Sequence, residues 1–266
     1  MRKLFHCVLF IPAMICAPLS GVQALEDDWK TFPAAGLSGM EIYTEAGSIS
    51  VEVSSDPAVG VEITGNDPRK CRLTVKPKGK KLILRAEQIG RSYFLPDNNC
   101  SASFAVSAPA ALALNAVAGS GDVRVLGRSA AVAVESGTGE ISVRSVTGDF
   151  KAATGSGGIT GDVCARSVRV AGGAGSVDLT GLCGSASVWT GAGKVVMQWD
   201  RVPLSGKARV VTGSGSITLT FPRKAGLQVK LESAVNAVKN EFKDKGKFAV
   251  SAESGAGRIS VLKAAK

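Results

Sequence analysis

The sequence Gly119-Ser120-Gly121-Asp122-Val123 is the first full copy of a motif that returns at a fixed interval. Its second glycine recurs at positions 139, 157, 175 and 193, so a spacing of 18 is kept four times in succession. Further copies stand at 213–215, after an interval of 22, and at 255–257, and a degenerate copy occupies 45–49. A constant interval over this many copies is the sequence signature of a repeat architecture.

Inside each unit, apolar residues alternate with other residues in two short segments. Val132 and Val134 stand before one copy of the motif, and Ile141 and Val143 follow it. A period of two indicates a β-strand with one buried face. Each unit therefore predicts two short strands and two turns. The glycine motif lies at one turn, where a positive φ or a close backbone approach favours a residue without a side chain.

These units predict an all-β fold, a parallel β-solenoid (β-helix) with rungs of about 18 residues and two strands. One unit buries too few apolar side chains to offset the conformational entropy of ordering its backbone, so it has to stack on its neighbours. Stacking completes the backbone ladders and makes the apolar columns continuous. A β-sandwich of the same strands is the rival architecture, but sandwiches rarely keep a constant repeat.

The chain divides into a signal segment, two flanks and a regular middle. We predict a signal peptide over 1–24, an N-terminal capping β region over 25–107, regular repeats over 108–221 and a basic C-terminal capping region over 222–266. The flanks are less regular. Strands are expected around 47–53, 59–64, 72–75, 81–86 and 101–106, with a hairpin turn at 77–80. Residues 234–242 fit either a short helix or an extra strand.

Positions 1–24 have the organisation of a secretory signal. Arg2 and Lys3 precede a mostly apolar stretch over 4–19, which is shorter than the ~20 residues that span a bilayer, and small residues occupy 22 and 24. Cleavage after Ala24 would remove these two of the 32 basic residues and none of the 22 acidic ones, so the net charge would fall from +10 to +8. We expect export to the periplasm or cell surface, without a further transmembrane segment; an uncleaved anchor and a lipoprotein at Cys16 are the alternatives.

Cysteine usage agrees with export. Removal of the signal leaves Cys71, Cys100, Cys164 and Cys183. An even number in an oxidising compartment indicates two disulfides, with three possible pairings. Pairing of nearest neighbours is favoured because Cys164 and Cys183 lie one repeat plus one residue apart.

Several stretches resemble a known family. They are residues 108–114 leading into 119–125, the later glycine copies, and Ser-Gly-Ala-Gly-Arg-Ile at 254–259. Over roughly 35–265 the chain resembles the bacterial putative-adhesin domain of unknown function, which is related to the β-helical head domains of autotransporter adhesins. The resemblance implies a parallel β-helix at the cell surface or in the periplasm, and it brings no catalytic residues. We expect no translocator barrel after the repeats.

A basic face is the candidate binding site. If the register holds, Lys151, Arg169 and Arg209 stack outward along equivalent strands, with Trp189 and Lys207 alongside. Like charges on adjacent strands repel, so an anionic ligand would relieve the strain. An indole can also stack on a sugar ring. The expected partners are an anionic polysaccharide or an envelope protein, and the plain alternative is an ordinary cationic surface.

The composition argues against several functions. The only histidine, His6, lies in the predicted signal, which excludes mechanisms and metal sites that need histidine. We predict no enzyme, cofactor or metal, and no nucleic-acid partner. Two alternatives stay open. One is a carbohydrate-active hydrolase or lyase that uses Asp122 and Glu140 on neighbouring rungs, and the other is a scaffold that self-associates through its end strands.

Overall fold

The computed structural model describes residues 28–90, 100–235, 237–243 and 245–265, so the predicted signal peptide lies outside the described residues. All regular elements of the described chain are β-strands. No described segment forms a helix of the length and apolarity needed to cross a membrane. In chain order the strands are β1 (Asp28–Pro33), β2 (Gly39–Thr44), β3 (Ile49–Val53), β4 (Ala58–Thr64), β5 (Cys71–Lys78), β6 (Lys81–Gln88), β7 (Ser103–Ala108), β8 (Ala113–Ala118), β9 (Val123–Arg128), β10 (Val132–Ser136), β11 (Ile141–Val146), β12 (Phe150–Thr154), β13 (Ile159–Val163), β14 (Ser167–Ala174), β15 (Val177–Leu182), β16 (Ser185–Ala192), β17 (Val195–Trp199), β18 (Gly206–Ser214), β19 (Ile217–Phe221), β20 (Leu227–Ser233), β21 (Val238–Asn240), β22 (Phe248–Ala256) and β23 (Ile259–Lys263).

The strands form two sheets. Sheet A has the order β1-β4-β7-β3-β9-β11-β13-β15-β17-β19-β23-β21, and sheet B has the order β20-β22-β18-β16-β14-β12-β10-β8-β2-β6-β5. Each 18-residue unit supplies one strand to sheet B and the next strand to sheet A, and we call such a pair a rung. Val132 pairs with Phe150 and Ile141 with Ile159, both parallel and both one repeat apart. The predicted parallel β-solenoid with two-strand, 18-residue rungs is therefore confirmed.

The core is a slim apolar layer between the two sheets. Along β10 the inward Val132 and Val134 are buried, while the alternating Ala133 and Glu135 face outward and are partly exposed. The same alternation holds in the strands stacked on either side, so inward positions form continuous apolar columns. The outward positions of each sheet form the walls of the stack.

The motif glycines form a column in which neighbouring rungs come unusually close. A Cβ added to Gly139 would lie 2.2 Å from the carbonyl oxygen of Gly121, and one added to Gly157 would lie 1.9 Å from that of Gly139. The close approach recurs at Gly121, Gly175, Gly193, Gly215 and Gly257, but only the last four have positive φ. Close approach of the adjacent rung therefore explains glycine throughout this column. From Gly175 onward, positive φ is a second reason.

Two rungs are inserted out of chain order. The first rung, β2 and β3, lies between β6–β7 and β8–β9 in both sheets. The last rung, β22 and β23, lies between β18–β19 and the terminal β20–β21. In consequence the copy at 45–47 stacks directly on 119–121, and the copy at 255–257 stacks on 213–215. The glycine column is continuous in space although it is interrupted in sequence.

The flanks contain the strands expected from the pattern. The hairpin turn at 77–80 joins the antiparallel β5 and β6, with Gly79 at φ 59°. Antiparallel pairing also joins β1 to β4 and β4 to β7 at this end of sheet A. At the other end, the described part of 234–242 contains the short strand β21 and forms no helix.

Both disulfides join nearest neighbours in sequence. Cys71 is bonded to Cys100, and Cys164 to Cys183. The first bond joins the edge strand β5 to the start of the segment that leads into β7. The second bond joins successive corners that follow β13 and β15, so it ties adjacent rungs together.

A buried arginine holds the crossover that bypasses the inserted first rung. Arg128 is 1% exposed, and its guanidinium donates hydrogen bonds to the carbonyl oxygens of Ala108 and Leu112. Burial lowers the pKa of this group from its ordinary value. Since Ala108 ends β7 and Leu112 precedes β8, Arg128 fixes both ends of the connection between them.

Candidate ligand-binding face

The predicted basic residues lie on the outer wall of sheet B in a common register. Lys151 pairs with Arg169, Arg169 with Ser187, and Ser187 with Arg209, which places them on four successive strands. Three strand steps at ~4.8 Å make this row about 14 Å long. Lys207 lies two residues before Arg209 on the same face. We call Lys151, Arg169, Lys207, Arg209 and Trp189 the basic face.

The cations of the basic face differ in their partners. The Lys151 ammonium is 3.5 Å from a carboxylate oxygen of Glu135, which lies one strand away. The repeat pattern does not predict this ion pair. Both side chains are exposed, so the pair contributes about 0–1 kcal/mol. Arg169, Lys207 and Arg209 have no ion pair among the described residues. Most of the unneutralised charge therefore lies around Ser187.

Trp189 stands beside this charge at the end of a long groove. It lies two residues after Ser187 on β16, faces outward and is 44% exposed. The groove has a volume of about 850 Å³, with Tyr43 at its far end and Val117, Glu135, Ala153 and Ala171 between. The carboxylate of Glu135 lies 3.5 Å from the Lys151 ammonium, so its charge in the groove is offset by that ion pair. The floor of the groove includes the first glycine of five successive motif copies, at 119, 137, 155, 173 and 191. The repeat pattern predicts Trp189 at this site but not Tyr43, because the insertion of β2 next to β8 is a long-range feature.

The groove follows the axis of the stack. Tyr43 lies on β2 and Trp189 on β16, five strand steps apart, so about 24 Å separates their positions. The row of Lys151, Arg169 and Arg209 runs parallel to it, two residues back along each strand. The arrangement suits an extended linear ligand that offers apolar surface to the groove and negative charge to the cations.

The two carboxylates considered for catalysis, Asp122 and Glu140, lie at the turn between the strands of a rung, and Asp122 has a structural contact there. Asp122 and Glu140 precede the paired Val123 and Ile141, so they do lie on neighbouring rungs. An oxygen of the Asp122 carboxylate accepts a hydrogen bond of 2.8 Å from the backbone amide of Glu140. This contact links successive rungs at the corner. Among the described residues no three His, Cys, Asp or Glu side chains come together as metal ligands.

A family model for the Toastrack DUF4097 domain matches residues 37–261 of this chain. The chain belongs to the Toastrack DUF4097 family. The match covers the whole stack from β2 to β23, including both inserted rungs. No curated protein matches the chain.

Solved structures from several bacteria are similar to this Toastrack chain. A putative adhesin from Bacteroides fragilis has 12% identity and a TM-score of 0.51, with 91% of this chain and 98% of that one covered. A putative cell adhesion protein from Clostridium sporogenes has 15% identity and a TM-score of 0.32, covering 91% and 100%. A putative lipid binding protein from Parabacteroides distasonis has 13% identity and a TM-score of 0.31, covering 90% and 96%. At these identities the Bacteroides fragilis structure supports the fold alone.

Proposed function

We propose that this Toastrack protein is an exported, non-enzymatic, adhesin-like binding module of the bacterial envelope, and that its basic face holds a linear anionic polysaccharide. The observation that carries the proposal is the row Arg169–Ser187–Arg209 beside Trp189. Two arginines without ion-pair partners in the described chain flank one small residue there. The same wall offers an exposed indole and a groove.

The spacing of the two arginines defines the charge pattern of the ligand. They are two strand steps apart, so their Cα atoms are separated by about 10 Å. Ser187 leaves an open notch between them that a carboxylate or sulfate can enter. Mutual repulsion between the guanidinium groups falls when an anion binds, and their planar donors suit carboxylate oxygens. An acidic sugar in every disaccharide of an extended glycan presents charge at a comparable interval.

Trp189 and the groove supply the apolar part of the site. A flat, half-exposed indole packs against the apolar face of a sugar ring. The groove continues from Trp189 toward Tyr43 and is shallow enough for an extended chain. A polymer of this kind would therefore lie along the stack axis and cross several rungs.

Export and surface location form the second part of the proposal. The signal-like residues 1–24 and the two disulfides support an oxidising compartment. The adhesin names of the Bacteroides fragilis and Clostridium sporogenes proteins agree with a location in the envelope. A protein that only binds its ligand on the outer wall of sheet B needs no catalytic residues.

We expect the double variant R169S/R209S to bind hyaluronan, which has one carboxylate per disaccharide, about tenfold more weakly than the natural sequence. The reason is the loss of two exposed charge contacts of about 0.7 kcal/mol each. Retention on immobilised hyaluronan at low ionic strength measures this, since salt screens exposed charges. The variant W189A should also elute earlier.

The matched control is R124S/R144S, which removes two exposed arginines from the outer wall of sheet A. It changes the net charge by the same amount and should elute close to the natural protein. Equal losses in both double variants would show attraction by net charge alone. That result, or no retention of the natural protein, would overturn the proposed site.

A further inference from the structure

A second charged region borders the basic face, at the corner where the chain passes from sheet A to sheet B near the C-terminal end. Lys207 of the basic face pairs with Ala249, which lies two residues after Lys247 of this region. Three connections stack at this corner: 200–205 before β18, 222–226 before β20, and the described residues 241–243 and 245–247 before β22. Gly206 and Leu227 both pair with Phe248, which places the three connections side by side. A Cβ on Gly226 would lie 3.1 Å from the carbonyl oxygen of Lys245, so two of the connections are in direct contact.

Six cations lie in these connections, and one of them, Arg201, donates hydrogen bonds to the sulfur atoms of Cys164 and Cys183. The other five extend from the corner. Arg223, Lys224, Lys243, Lys245 and Lys247 are all exposed, and none has an ion-pair partner in the described ranges. By contrast, Lys230 and Lys239 of the same terminal rung are paired with Glu232 and Glu241, each at 2.7 Å. The same connections contain three acidic residues: the exposed Asp200, Glu241, which is paired with Lys239, and Asp244, which lies outside the described residues. The terminal rung thus pairs its strand cations and leaves its corner cations unpaired.

The most exposed large apolar side chain of the described chain stands at the same corner. Leu204 is 94% exposed, whereas Val202 two residues earlier packs against the core. Leu204 lies in the stretch that lengthens one repeat interval from 18 to 22. We call Leu204 with Arg223, Lys224, Lys243, Lys245 and Lys247 the basic corner.

We propose that the basic corner docks this protein on the surface of a bilayer that contains anionic lipids. Exposed lysines and arginines are attracted to anionic headgroups, and an apolar side chain among them enters the boundary between headgroups and acyl chains. Leu204 distinguishes this surface from one built for a soluble anion, which gains nothing from an exposed leucine. Lys207 borders the corner, whereas Arg169 and Trp189 lie further along the wall of sheet B, on β14 and β16, and stay open to a glycan while the corner contacts lipid.

The test is sedimentation of the mature chain with vesicles of phosphatidylcholine, with and without phosphatidylglycerol. We expect binding only when phosphatidylglycerol is present. The triple variant K243S/K245S/K247S should bind roughly 100-fold more weakly, because each cation near the surface contributes about fivefold. L204S should bind roughly tenfold more weakly, because the apolar contact is lost.

The matched control is K76S/K78S/K80S, which removes three exposed lysines from the hairpin at the opposite end of the stack. It should bind vesicles like the natural sequence. Equal loss in both triple variants would assign the attraction to net charge and overturn the proposal. An unchanged L204S, or binding to a soluble anionic polymer through the corner lysines without binding to vesicles, would overturn it as well.

Discussion

The variant Gly157→Ala is expected to lose about 3 kcal/mol of unfolding free energy, or more. Its Cβ would lie 1.9 Å from the carbonyl oxygen of Gly139, and backbone on an adjacent rung cannot move away without parting the ladder. Gly157 has no positive φ, so the whole effect comes from close approach. Urea unfolding followed by far-ultraviolet circular dichroism measures the loss.

Gly158→Ala is the control for this prediction. The nearest atoms to its added Cβ are a Glu140 carboxylate oxygen at 3.5 Å and the Ser176 carbonyl oxygen at 3.6 Å, which are ordinary contacts. We expect a change within about 0.5 kcal/mol. If the two variants were equally stable, the close stacking of the glycine column would be wrong.

The variant Trp199→Ala is expected to lose about 4 kcal/mol of unfolding free energy. Trp199 is 1% exposed, its ring stacks on Phe221 at 4.4 Å between centroids, and its indole N–H donates to the Gly184 carbonyl oxygen at 3.0 Å. Phe248 packs edge-on to the same ring. Truncation leaves a large cavity and an unpartnered carbonyl in the thickest part of the core.

Trp189→Ala provides the comparison, because it removes the same side chain from a half-exposed position on the wall. Its unfolding free energy should change by less than about 1 kcal/mol while glycan retention falls. Thermal unfolding monitored by calorimetry ranks the two variants. A Trp199→Ala protein as stable as Trp189→Ala would contradict the packing of the aromatic cluster.

The regular part of the fold could be predicted because its determinants are local and repeated. The alternation of Val132 and Val134 fixes which face of a strand is buried, and the 18-residue interval fixes its partner. The same interval brought Cys164 and Cys183 onto adjacent rungs. Residues such as Lys151 and Arg169 could be placed in one row for this reason alone.

The order of the end rungs could not be predicted because strand pairing over long separations depends on the whole stack. The copy at 45–47 stands about four repeats before its spatial neighbour at 119–121, and nothing in the intervening sequence states that the two are adjacent. The motif itself indicates such a neighbour, because a glycine at this position is required where the backbone of an adjacent rung comes close, as Gly47 does to Gly121. Tyr43 enters the groove through this insertion.

The ion pairs of the candidate site could not be predicted, because they depend on the positions of individual side chains and not on the repeat pattern. Glu135 reaches Lys151 diagonally, from one strand away and two residues along, and so weakens one of the predicted cations. The exposure of Leu204 could not be predicted, because this residue lies in an irregular insertion that has no alternation of apolar and polar residues. The structure places Leu204 beside the connection that contains Lys243, Lys245 and Lys247.

Oxidative footprinting by hydroxyl radicals, read by mass spectrometry with and without hyaluronan, tests most directly whether the wall of sheet B is the binding surface. Trp189 is 44% exposed and Trp29 is 60% exposed at the far edge of sheet A, so each reports on its own surface. We predict that the ligand lowers oxidation of Trp189 several-fold and leaves Trp29 unchanged. Equal oxidation of Trp189 in the two samples, under conditions where the polysaccharide is bound, would contradict the account.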